Sequence, residues 1–138
     1  MGKINWVRVL LGGLLAGLVV NIFEFVTNGV VLASQWEVAM KALGHQMPGS
    51  ATAVFIVWGF LVGIGAIGLY AAARPRFGPG PKTAAITGFG YWIFAYALPN
   101  FGSGAMGLFP TRLLVIGTIV GLVELIAGSL CGAWFYKE

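Results

Sequence analysis

Charge is the scarcest commodity in this chain. Of 138 residues only four are acidic and eight basic, so charged residues make up 9% where a soluble domain carries about 25%. That scarcity excludes an ordinary water-soluble globule. Cysteine is also nearly missing: the single Cys131 rules out an internal disulfide and, inside an apolar stretch, reads as a small filler. Histidine occurs once, at His45, so no His/Cys cluster exists for a metal and no catalytic Ser–His–acid set is suggested by Ser34, Ser50, Ser103 or Ser129. The net charge of +4 is spread over isolated residues with no basic stripe, which argues against nucleic acid.

What remains is apolar. Hydrophobic residues make up 59% of the chain and gather in four segments, near 7–32, 51–73, 83–101 and 111–135. Each approaches or exceeds the roughly 20 residues that cross a bilayer as helix, and backbone polar groups in lipid permit little else. The expected fold is therefore a single all-α domain over 1–138, an integral membrane protein of four transmembrane helices. The first segment is too long for a signal-peptide core, although Val31-Leu32-Ala33 before Ser34 resembles a cleavage site; a retained helix is the better reading. Interfacial aromatics Trp6, Tyr70 and Trp134-Phe135-Tyr136 mark segment ends.

Six of the eight basic residues (Lys3, Arg8, Arg74, Arg76, Lys82, Lys137) flank one side of these segments, against Lys41 and Arg112 on the other. The positive-inside rule then places both termini and the 74–82 turn in the cytoplasm, in a bacterial-type inner or plasma membrane. The turn, Arg74-Pro75-Arg76-Phe77-Gly78-Pro79-Gly80-Pro81-Lys82, reads as unable to continue a helix. On the outer side Ser34-Gln35-Trp36-Glu37 has capping-box spacing, and Trp36, Ala39, Met40 and Leu43 share a face. This predicts a short amphipathic surface helix near 35–43 with a Glu37–Lys41 pair, stopped by Gly44.

Against this background two carboxylates stand out, Glu24 in the first segment and Glu124 in the last, the basic residue of each segment (Arg8 and Arg112) lying at its far end. An ionisable group at membrane depth costs about 2.5–3.5 kcal/mol on insertion scales, so it faces protein or water and marks a candidate site. Asn21, Thr27 and Asn28 share the helical face of Glu24. At 1.5 Å per residue Glu24 lies about 12 Å deep and Glu124 about 18 Å, staggered, with Asn21 the ready partner for Glu124. Glu24, Glu124, Asn21, Asn28 and Thr27 thus form a candidate intramembrane polar site for a proton or cation; the competing reading makes them neutral hydrogen-bonding groups that hold helices in register.

Small residues step along the same faces: Gly13 and Gly17 before Glu24, and Gly117, Gly121 and Gly128 around Glu124, with Gly59 and Gly63 in the second segment. Such spacing lets helices approach closely and predicts packing surfaces, within the bundle or between subunits. A weak repeat relates Ile22-Phe23-Glu24-Phe25 to Ile93-Phe94-Ala95-Tyr96 and Gly59-x-x-x-Gly63 to Gly117-x-x-x-Gly121. The third segment is short, aromatic and interrupted at Pro99-Asn100-Phe101-Gly102-Ser103-Gly104, where a plain outer loop is preferred to a binding site. Gly63-Ile64-Gly65-Ala66-Ile67-Gly68 matches G-x-G-x-x-G but lacks the preceding strand of a dinucleotide site.

The leading expectation is a non-enzymatic membrane protein, a structural or accessory subunit of a homo-oligomer or larger complex, with lipids as its other partners. The alternative is a small proton- or cation-coupled transporter using Glu24 and Glu124. No cofactor is expected beyond a remote haem or pigment contact at His45, and neither metal nor catalytic residues are expected.

Overall fold

The computed structural model describes residues 3–137. The extreme residues, on which the cytoplasmic placement of the termini bears, lie outside that range. Every regular element of the described chain is helical: α1 (Trp6–Glu24), a π-helical segment (Phe25–Val31), α2 (Ala33–Ala42), α3 (Ala51–Phe77), α4 (Pro81–Trp92), a second π-helical segment (Ile93–Ala97), α5 (Leu98–Met106) and α6 (Thr111–Phe135). Three helices are long and apolar enough to cross a membrane: Trp6–Val31, Ala51–Phe77 and Thr111–Phe135. The expected third segment is helical as well, but runs from Pro81 to Met106 in three pieces.

α1 packs against both α3 and α6, and α4 closes the bundle by touching α6 and α3. Three layers of buried side chains fill it. Val9, Ile67, Tyr70 and Tyr136 lie at one end; Val20, Val62, Tyr96 and Leu125 in the middle; Leu32, Ala39 and Leu113 at the other. Leu14, Leu18, Val54, Leu61, Ile119 and Val123 remain exposed around the outside. Helices this apolar on every side suit a lipid surround.

Glycines set the α1–α3 distance. A Cβ on Gly13 would lie 2.5 Å from Ile64 Cα, and one on Gly17 would lie 2.7 Å from Phe60 Cα. Gly63 faces the backbone of Gly13 and Gly17 in return. Gly128 lies against the Ala16 carbonyl, a Cβ there meeting its oxygen at 3.1 Å. Gly117 differs: its nearest neighbour would be Asn100 Nδ2 at 3.9 Å, so no helix presses on it.

Three local expectations are corrected. α3 does not stop at residue 73 but passes through Pro75 to Phe77. Proline's fixed φ is helical, and its missing N–H costs one bond only. The turn is then closed by Gly78 N–H donating to Arg74 O at 2.8 Å, and Gly78 ends the helix with φ +80. Tyr70 Oη accepts from Gly80 N–H at 3.1 Å, and Thr83 Oγ1 donates to Gly78 O at 2.7 Å, tying α4 to that end.

Pro99 likewise fails to break its helix. The π-helical widening at Ile93–Ala97 lies where the proline ring would meet the carbonyl four residues back, and Leu98 N–H bonds Ile93 O across it. Asn100, placed in a loop by the sequence, instead donates from Nδ2 to Thr118 Oγ1 at 2.9 Å, while Trp92 Nε1 donates to Thr118 O at 2.8 Å.

Finally, α2 begins at Ala33 with Leu32 as its N-cap and no capping side chain, so Ser34 is inside the helix and the capping box does not form. The chain enters α2 directly from the π-helical segment, with Leu32 N–H on Thr27 O and Leu32 buried against the core. Trp36, Ala39 and Met40 turn inward, whereas Leu43 is exposed. Glu37 and Lys41 pair at 2.7 Å on the exposed side. The Lys41 hydrogen bond and charge hold the Glu37 carboxyl below the ordinary glutamate value. Its stabilising contribution is therefore present above the ordinary value and lost as pH falls through the lowered one. An NMR titration should find Glu37 low in the native chain and back in the ordinary range in Lys41→Met.

Candidate functional site: two carboxyls bridged by a tyrosine

Glu24 is the last residue of α1, immediately before the π-helical segment. Asn28 stands one turn on, and its Nδ2 donates to Glu24 Oε2 at 2.6 Å. The amide oxygen of Asn28 accepts from Trp36 Nε1 at 2.8 Å, which brings the surface helix α2 into the network. An indole nitrogen can only donate, so its partner on Asn28 must be the oxygen, and the NH2 must face Glu24.

Glu124 comes from α6 and is fully buried, at 0% exposure. Between the two carboxyls stands Tyr96, carried by the second π-helical segment. Its hydroxyl is hydrogen-bonded to Glu124 Oε1 and lies 3.4 Å from Glu24 Oε1. Gly121, three residues before Glu124 on the same face, makes room for the ring: a Cβ there would sit 2.6 Å from Tyr96 Cδ1. Trp58 of α3 meets the ring edge-on, with centroids 5.8 Å apart. Val20, Val62 and Leu125 complete an apolar wall. Glu124 Oε2 is buried with no hydrogen-bond partner among the described residues.

Both π-helical segments adjoin this site, one starting after Glu24 and one containing Tyr96. Such segments recur at functional sites because the wider turn re-aims side chains. Here they place Asn28 under Glu24 and Tyr96 between the carboxyls.

The structure brings together Glu24, Glu124 and Asn28 of the residues singled out by the sequence. Asn21 is not the partner of Glu124: its Nδ2 donates to Ile56 O on α3 at 3.2 Å, pressed against Gly59, where a Cβ would meet Asn21 Oδ1 at 2.6 Å. Close approach of α1 to α3 decides that choice. Thr27 contributes its carbonyl to Leu32 N–H and not its hydroxyl. Tyr96 and Trp36 were not singled out as site residues. The one sequence signal for Tyr96 was the repeat that sets Ile93-Phe94-Ala95-Tyr96 beside Ile22-Phe23-Glu24-Phe25. His45 is exposed after α2, and among the described residues no three His, Cys, Asp or Glu side chains come together.

Chemically, three oxygens from three chain segments converge in an apolar surround. A phenol has one proton and can donate to one carboxyl at a time. Two bare carboxylates this close repel strongly at low dielectric, so the arrangement is satisfied when the pair holds a proton between them. Comparison with protein-family models, curated proteins and solved structures finds no match to this chain.

Proposed function

We propose that this chain is a four-span membrane protein whose Glu24–Tyr96–Glu124 site binds and releases a proton during transport, as a small proton-coupled transporter. The observation that carries the reading is the tyrosine shared by two carboxyls from the neighbouring helices α1 and α6, beside a buried carboxyl oxygen without a partner. A buried carboxyl oxygen without a partner calls for an explanation, and exchange of a proton at this site supplies one.

The fourth span in this reading is the Pro81–Met106 run, with about 39 Å of helical rise. An even number of crossings returns both tails to one side, and the six-to-two distribution of basic residues makes that side cytoplasmic, in an inner or plasma membrane.

The accessory-subunit reading draws on one feature, an apolar hollow on the outside of the bundle lined by Leu15, Leu130, Cys131 and Trp134, where a partner helix could seat. Against it, the glycines that suggested subunit contacts (Gly13, Gly17, Gly59, Gly63 and Gly128) are engaged inside the bundle.

The test is reconstitution into vesicles under an imposed pH gradient. The native chain should dissipate the gradient, and Glu24→Gln or Glu124→Gln should abolish that flux while leaving helix content and detergent elution unchanged. Undiminished flux in the double variant rejects the transporter and returns the carboxyls to a structural role.

A further inference from the structure

We infer that the two carboxyls are unequal, with Trp36 and Asn28 fixing the negative charge on Glu24, the proton residing on Glu124, and Tyr96 passing it between them. This rests on the proton-binding reading above and specifies how that site works.

The assignment follows from counting donors. Trp36 Nε1 can only donate, so it locks the Asn28 amide with Nδ2 toward Glu24. Glu24 Oε2 is therefore always offered a donor at 2.6 Å, a contact that is charge-assisted when Glu24 is the carboxylate. Glu124 is in the opposite situation. Its Oε2 is buried without a donor, and a bare carboxylate oxygen there would be far more costly than the carbonyl oxygen of a neutral acid.

With the proton on Glu124 Oε1, every hydrogen bond points the same way. Glu124 donates to Tyr96 Oη, Tyr96 turns its hydroxyl toward Glu24 Oε1, and Asn28 supplies Glu24 Oε2. Transfer then proceeds in concert. The Glu124 O–H bond breaks as its proton forms a new O–H bond at Tyr96, and the original tyrosine proton leaves for Glu24 Oε1. Tyr96 ends neutral, Glu24 becomes the acid and Glu124 the carboxylate. One proton has moved toward α2 and one negative charge toward α6.

Among the described residues, no other charge on the surrounding elements competes for this role. Glu37 and Lys41 are paired on the exposed side of α2, Arg112 is exposed at the start of α6, and Cys131 is exposed further along it. On α4, Tyr91 places its hydroxyl against Gly65, and α3 offers Trp58 and Val62 to the site. The basic residues of α1, α3 and α4, Arg8, Arg74, Arg76 and Lys82, sit at the opposite end of the bundle from α2. Trp36 and Asn28 are thus positioning residues that act through Glu24.

Infrared difference spectroscopy on the full chain in lipid, near neutral pH, separates the cases through the carboxylic-acid C=O band. The native protein should show one acid band that vanishes in Glu124→Gln and persists in Glu24→Gln. Trp36→Phe frees the amide to turn, and should bring in a second acid band from Glu24, lost again when Glu24→Gln is added. Asn28→Leu removes the donor without altering α2 and should do the same. An acid band that follows Glu24 in the native chain, or no new band in either Trp36→Phe or Asn28→Leu, overturns the assignment. The two proposals fail separately. Zero flux with the acid on Glu124 refutes transport but upholds the asymmetry, whereas carboxyl-dependent flux with the acid on Glu24 does the reverse.

Discussion

Tyr96→Phe is expected to slow proton flux through the protein by about 100-fold while leaving all helices in place, since a positioned acid–base group contributes on the order of 10²–10⁴ in rate. Phenylalanine keeps the ring, so the contacts with Trp58 and Gly121 survive. What disappears is the hydroxyl that hydrogen-bonds Glu124 Oε1, on a carboxyl whose other oxygen already has no partner among the described residues. A buried polar group stripped of its partner costs about 1–3 kcal/mol, so the variant should also unfold more readily in a detergent titration. Vesicle flux and unfolding, measured on the same preparation, separate the two effects. Loss of stability with unchanged flux would make Tyr96 a structural strut and remove it from the proton path.

Gly63→Leu should be the most disruptive single change in the bundle, costing about 3 kcal/mol or preventing folding. Any side chain at that position runs into the backbone nitrogen of Gly17 and the carbonyl of Gly13, neither of which can rotate away as a side chain could. Helix association in lipid depends on packing and interhelical hydrogen bonds, because lipid tails are as apolar as the helices. Forcing α1 from α3 therefore loses the contact without compensation, and it also breaks the Asn21–Ile56 bond along the same seam. The matched control is Gly117→Ala, where the added carbon has no neighbour closer than 3.9 Å; it should be neutral or slightly stabilising through helix propensity. Thermal unfolding of both variants in one detergent checks the pair.

Much of this molecule was legible from residue order. The apolar runs located the helical stretches Trp6–Val31, Ala51–Phe77 and Thr111–Phe135 to within a few residues, because hydrophobic length is local in sequence. Glu24 and Glu124 were visible because their cost in such surroundings requires a reason, and Asn28 because four-residue spacing puts it beside Glu24. The partner of Asn21 was not legible. Depth reckoned along straight helices matched it to Glu124, whereas the tight α1–α3 seam at Gly59 gives it the Ile56 carbonyl. Tyr96 escaped for a related reason: as one aromatic among several, its selection depends on a π-helical turn and on the room left by Gly121. Pro75 and Pro99 signalled helix ends that do not occur, one because its turn is closed by Gly78, the other because the widened turn before it absorbs the ring. Local pattern locates membrane helices well, but side-chain pairing across them depends on backbone separation, which no single segment encodes.

The most direct measurement is a proton count. Purified protein in detergent is stepped across the accessible pH range while uptake is followed with a soluble indicator, for the native chain and for the Glu24→Gln/Glu124→Gln double variant. If the site exchanges a proton, the native protein takes up one more than the double variant over that range. Identical uptake curves would mean that the pair never changes its proton content, which would contradict the proposal that Glu24, Tyr96 and Glu124 form a working proton site.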